Sequence, residues 1–106
     1  MTTIASVLKK VHHRLLKPDA WIQGVNAKNI QGIRTGIGDS DTISWCLSGA
    51  VRAETCRNEF LLVVEHVQKL VPSGNIVAWN DTPFRTHNDV LGLLTQAISA
   101  AEAKGI

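Results

Sequence analysis

The chain is 106 residues long, 44% hydrophobic and 19% charged, which fits a single domain over residues 1–106 and excludes intrinsic disorder. No apolar run reaches the roughly 18 residues that cross a bilayer, and Met1-Thr2-Thr3-Ile4 lacks the basic and apolar regions of a secretory signal, so a cytoplasmic protein without membrane contact is expected. The net charge of +2 is too small to imply a polyanionic partner, but it is unevenly spread: residues 1–18 hold Lys9, Lys10, Arg14 and Lys17 and no acid, while the rest holds seven basic and nine acidic residues.

In chain order, Ile4, Val7, Leu8, Val11, Leu15 and Leu16 recur at helical spacing and predict an amphipathic helix over about residues 3–17. Pro18 ends it, because the residue before a proline is pushed out of the helical region. The four cations share this helix, which makes it a route to a nucleic acid or an anionic surface. No aromatic residue interleaves with them in sequence, so the stacking half of a single-strand binding surface is missing and nucleic acid is disfavoured.

Gly24, Gly32, Gly36 and Gly38 then recur among Asn26 and Asn29. Asn29-Ile30-Gln31-Gly32 reads as a turn, with residues 21–27 and 33–35 as the arms of a small hairpin. Two strands alone are marginal in water, so the hairpin must lean on helices. Asp39 or Asp41 is expected to cap a second helix that starts near Thr42 and buries Ile43, Cys46, Leu47, Ala50, Val51 and Ala53. Thr55-Cys56-Arg57-Asn58 breaks it, and Asn58 is the expected cap of a third helix. That helix carries Phe60, Val63, Val64, Val67, Leu70 and Val71, with Leu61 and Leu62 widening the stripe. So wide a face suits a central place in the core and also a homodimer.

Pro72-Ser73-Gly74 closes the third helix. Asn75-Ile76-Val77-Ala78-Trp79 reads as a short extended strand, and residues 80–85 as a polar turn. Thr86-His87-Asn88-Asp89 has the spacing of a capping box, with Asp in place of Glu or Gln. The last helix follows, with Val90, Leu91, Leu94, Ala97, Ile98 and Ala101 on one face and Lys104 and Gly105 at its end. The expected fold is mainly α, or α+β if the hairpin pairs: about four helices around one core, with a small β-hairpin near residues 21–36.

The chain has three Trp and no Tyr, and each Trp stands at an element boundary beside polar groups. Brought together they would wall a pocket for a small molecule or peptide, and Trp21, Gln23, Trp45, Trp79, Asn80, Asp81 and Arg85 are the binding candidates. Cys46 in the first turn of a helix would have its thiolate favoured. With His87 as base and Asp81 or Asn80 orienting the ring, it is the catalytic candidate for a cysteine-dependent hydrolase or transferase. Each of these residues also has a plainer reading. A Cys among Trp, Leu and Ala is ordinarily a small buried hydrophobe. His87 is a solvated first-turn residue, Asn80 and Asp81 tie a turn through side-chain hydrogen bonds, and Arg85 pairs with Asp81. The preferred reading is a non-catalytic binding or regulatory module.

Cys46 and Cys56 would lie about 15 Å apart on a continuous helix, beyond the roughly 7 Å a disulfide spans, so free thiols are expected. His12 and His13 point about 100° apart and cannot chelate one ion together. No metal site and no cofactor is implied, and the glycines lack phosphate-loop spacing.

Four stretches form a pattern: Trp21-x-Gln23-Gly24, Ala27-Lys28-Asn29 with Gly32, Trp45-Cys46-x-x-Gly49-Ala50, and Trp79-Asn80-Asp81-x-Pro83-x-Arg85-Thr86 before a Leu- and Ala-rich helix. The pattern resembles a small uncharacterised bacterial family, a domain of unknown function, over about residues 4–102. The resemblance implies no activity. It implies that the three Trp settings belong together. Phe84 departs from the pattern, which has a small residue there, often Gly, so a differently shaped loop is expected.

Overall fold

The first helix begins where two side chains exchange bonds with the backbone. Thr3 Oγ1 accepts from the Ser6 N–H at 3.1 Å, and Ser6 Oγ accepts from the Thr3 N–H at 3.2 Å, which satisfies donors that a helix start leaves free. The computed structural model describes residues 3–106; the reading of Met1 and Thr2 at the start of the chain lies outside the described residues. From this cap α1 (Ile4–Arg14) buries Val7, Leu8 and Val11, and a single 3₁₀ turn follows at Pro18–Ala20. Next come β1 (Ala27–Asn29), β2 (Thr42–Trp45), α2 (Leu47–Ala53), α3 (Arg57–Gln68), α4 (Ile76–Asn80) and α5 (His87–Ala103).

The result is a small α+β fold with, among the described residues, five α-helices and one two-stranded antiparallel sheet. Helices α1 and α5 form the most extensive helix pair. Leu8, Val11, Leu47, Val67, Ile76 and Leu94 belong to one hydrophobic cluster fed by all five helices. The Thr86–Asp89 capping box forms as its spacing predicts, with Asp89 N–H donating to Thr86 Oγ1 at 3.1 Å and Thr86 N–H to Asp89 Oδ2 at 3.0 Å. Gly105 takes φ +71° beyond the end of α5, a conformation that costs glycine nothing.

Four expectations are corrected. The turn at 29–32 forms, with Gly32 N–H bonded to the Asn29 carbonyl at 3.0 Å, but the 33–35 arm meets β1 through one bridge, Lys28 to Arg34. The strand partner of β1 is Thr42–Trp45, with Ala27 opposite Trp45 and Lys28 opposite Ser44. β1 has both neighbours: the 33–35 arm bonds it through Asn29 N–H on the Ile33 carbonyl at 2.9 Å and Thr35 N–H on the Ala27 carbonyl at 3.0 Å, and in β2 Thr42 and Ser44 point alternately inward, which is the period a half-buried strand requires.

The second helix therefore starts at Leu47 and not near Thr42. Thr, Ile and Trp fit a pleated surface better than a helix start, and Cys46 takes the cap position. Asp39 instead accepts from Gly36 N–H at 2.7 Å, and Asp41 from Asn29 Nδ2 at 3.3 Å. The cap of α3 is Cys56, whose N–H donates to the Glu59 carboxylate at 3.0 Å, and Asn58 lies exposed in the first turn. Residues 76–80 form a helix and not a strand. Asn75 Oδ1 accepts from both Val77 and Ala78 N–H at 3.0 and 3.1 Å, and this cap outweighs the β preference of Ile76 and Val77.

Candidate functional site

Asn80 is the last residue of α4 and is 1% exposed. Burying an amide requires partners for its acceptor and both of its donors, and the fold supplies them. Oδ1 accepts from Trp21 Nε1 at 2.7 Å and from the Leu47 N–H, at the start of α2, at 3.1 Å. Nδ2 donates to the Ile22 carbonyl at 3.1 Å and to Asp81 Oδ1 at 3.0 Å. Gln23 Nε2 donates to the Asn80 and Thr82 carbonyls at 2.8 and 3.0 Å, and Asp81 Oδ1 also accepts from Gly24 N–H at 2.9 Å. The structure thus brings Trp21, Gln23, Asn80 and Asp81 together, as a clasp joining the chain after α1, the start of α2 and the end of α4.

Trp79 and Arg85 stand beside the clasp. Arg85 Nε donates to the Trp79 carbonyl at 2.9 Å, and its guanidinium lies 4.1 Å from the centre of the Trp79 ring. Its carboxylate partner is Asp89 at 3.9 Å, not Asp81. Trp45 is joined to Trp21 by a parallel bridge, with Ile22 N–H on the Trp45 carbonyl at 3.1 Å, while its side chain lines a groove and its Nε1 donates to the Ile37 carbonyl at 3.1 Å.

Cys46 is 6% exposed. Its Sγ accepts from Gly49 N–H at 3.2 Å and its thiol donates to Asn26 Oδ1 at 3.6 Å. Burial pushes the thiol pKa up, against the pull of the Gly49 N–H, so the sulfur sits in the fold as a neutral cap. The Asn26 carbonyl receives Cys46 N–H at 3.1 Å and lies where a Cβ on residue 49 would stand, which is why that position is glycine. His87 is bound elsewhere: its Nε2 bonds the carbonyl of Leu15, the C-cap of α1. Among the described residues no hydrogen bond joins Cys46 to His87, and no three His, Cys, Asp or Glu side chains gather as a metal site.

A second concavity has another origin. A groove of about 880 Å³ runs between α1, the 3₁₀ turn, β2 and the C-cap of α2. Lys9, Lys10, Arg14 and Lys17 line it against Asp19 and Glu54. Arg14 is fixed: Nε and Nη2 reach Glu54 Oε2 at 2.8 and 2.7 Å, and the guanidinium lies 4.5 Å from the centre of the Trp45 ring. Lys9 reaches Glu102 at 3.1 Å on the open surface. Lys10 and Lys17 have no ion pair among the described residues. Leu16 and Ile43 expose apolar surface along the same wall.

Residues 1–100 match the model of DUF6197, a family of unknown function. The chain belongs to that family. Nothing among curated proteins and nothing among solved structures matches it. Among the described residues no helix of this DUF6197 member is long and apolar enough to cross a membrane.

The groove in this DUF6197 chain is what sequence reading missed. The basic residues were visible, but their aromatic neighbour is not interleaved with them along the chain. Trp45 arrives from β2, some thirty residues on from Arg14. The available signal was the alternation Thr42-Ile43-Ser44-Trp45, buried, exposed, buried, half-buried. Read as a strand, it sends Trp45 and Thr42 to places that a helix start does not.

Proposed function

We propose that this chain is a small non-catalytic binding or regulatory module of the bacterial cytoplasm, and that its ligand, a small molecule or peptide, occupies the groove beside α1. One observation carries the reading: the groove, about 880 Å³, combines uncommitted lysines with exposed apolar wall and a fixed Trp45, whereas the polar groups of the Asn80 clasp already bond one another. Concave sites with mostly apolar walls and a few polar groups are where small ligands bind. The two free cysteines fit a reducing compartment. Leu61 and Leu62 on the outer side of α3 are exposed, and self-association through them belongs to the same reading; sedimentation of the wild type and of Leu61→Lys tests it.

The test of the binding site is amide chemical-shift mapping during ligand titration. Saturable shifts at Lys10, Lys17, Thr42 and Ile43 are expected. Saturable shifts confined to residues 21–24 and 79–85 would place the ligand on the clasp and overturn the proposal.

A further inference from the structure

We infer that the groove takes a small organic anion, one or two negative charges on an apolar body, with the anionic group held by Lys10 and Lys17 and the body laid along Leu16 and Ile43 toward Trp45. This rests on the groove being the binding site. Four cations line the groove, but two are already engaged, Arg14 with Glu54 and Lys9 with Glu102. Lys10, on α1, and Lys17, past the end of α1 at the N-cap of the 3₁₀ turn, are left, and both line the groove. Both side chains are exposed on the groove, and His13, also on the groove, lies between them in sequence.

Two cations outside any ion pair, Lys10 with Glu59 close enough to feel its charge and Lys17 with Asp19 on the rim, match one or two negative charges on a ligand and not a series of phosphates. A bare inorganic anion leaves the apolar wall of Leu16 and Ile43 wet and gains nothing from it. A neutral apolar molecule of the same shape leaves both ammonium groups without a partner. Arg14 stays bound to Glu54 in this arrangement. It acts as a positioning residue, holding Trp45 in place from above while Nε1 of that ring is held by Ile37.

The experiment is isothermal titration of the full chain with four probes at low salt: naphthyl phosphate, naphthol, inorganic phosphate and a thymidine oligonucleotide. Saturable one-to-one binding of naphthyl phosphate is expected, weakened about tenfold by the double change Lys10→Gln with Lys17→Gln and weakened also by Ile43→Ser. Unchanged thermal unfolding of the lysine variant separates a lost contact from a lost fold. Naphthol binding as tightly as naphthyl phosphate, or indifference to the lysine changes, overturns the anion. Inorganic phosphate binding as tightly overturns the apolar body. The oligonucleotide binding more tightly, with a steep salt dependence, overturns the small ligand in favour of a polyanion. No binding of naphthyl phosphate overturns the inference outright. The groove reading itself survives any of these if amide shifts with another probe still map to the groove, and it falls only when they map elsewhere.

Discussion

The Asn80 clasp and the α1 groove are built from the same kinds of groups, Trp rings, a guanidinium and polar side chains, and they end in opposite states. In the clasp the donors and acceptors of Asn80 meet protein partners. In the groove Lys10 and Lys17 are exposed and form no ion pair among the described residues. A dense motif is therefore no guide to a binding site on its own. A polar cluster can be dense because the fold needs it satisfied, and unspent bonding capacity beside a concavity is the better sign of a ligand.

The largest predicted effect breaks the clasp. Replacing Asn80 by Ala leaves Trp21 Nε1, Leu47 N–H and the Ile22 carbonyl without their partner, and each orphaned buried group costs about 1–3 kcal/mol. A loss of about 3 kcal/mol or more is expected in urea unfolding, a large share of the roughly 5–15 kcal/mol of a domain this size. The groove variants Lys10→Gln and Lys17→Gln should stay within about 0.5 kcal/mol of wild type, as ordinary surface changes do. Equal stability of the two sets of variants would erase the distinction between the regions.

Gly49→Ala comes next. The new Cβ meets the Asn26 carbonyl, so α2 must move away from the loop before β1. Overpacking of this kind costs about 1–3 kcal/mol, measured as a lowered Tm. A neutral result would show that the Cys46 turn is looser than its hydrogen bonds imply.

Cys46 tests the same contrast by chemistry. It is buried and Cys56 is exposed, so an alkylating reagent at neutral pH should label Cys56 first. Faster labelling of Cys46 would revive the hydrolase reading. The pH dependence has a definite sign. Burial raises the folded thiol above its ordinary value of 9.0, so the folded state holds that proton more tightly than the unfolded chain. Its contribution to stability is full below pH 9.0 and is lost as pH rises toward the raised value. Alkaline unfolding should shift to higher pH in Cys46→Ala once its lower overall stability is allowed for.

Much of the fold was legible because it is written in local periodicity. The stripe Ile4, Val7, Leu8, Val11 and the box Thr86–Asp89 are signals within a few residues, and both stand. The misread pieces are those where two local signals compete. Ile76-Val77-Ala78 has strand propensity, but the side chain of Asn75 reaches two N–H groups and starts a helix. Thr42–Trp45 has apolar spacing that a helix also shares, and only the pairing with β1, sixteen residues back at Lys28 and Ser44, settles it. The clasp residues were legible as a group, while their role was not, because it depends on bonds between residues 57 to 59 positions apart.

Phe84 gives the smallest effect and the sharpest cut between the two regions. It lies in the loop that leaves the clasp, in a turn closed by Arg85 N–H on the Thr82 carbonyl at 3.1 Å. Pro83 leads that turn, and Phe84 follows it with φ +68° and 98% of its surface exposed. A positive φ after a turn proline is a glycine position, which accounts for the small residue expected there. The left-handed conformation costs a side-chain-bearing residue roughly 1–2 kcal/mol, and glycine gives back about 0.5–1 kcal/mol through the freedom of the unfolded chain. Phe84→Gly should therefore stabilise the chain by about 0.5–1 kcal/mol, and by a few degrees in Tm. The ring does not line the groove, so naphthyl phosphate binding should be unchanged in this variant. Loss of stability would mean that the exposed ring makes a contact the folded chain needs. Gain of stability with loss of binding would carry the ligand across from the groove to the clasp, and the two regions would then be one site.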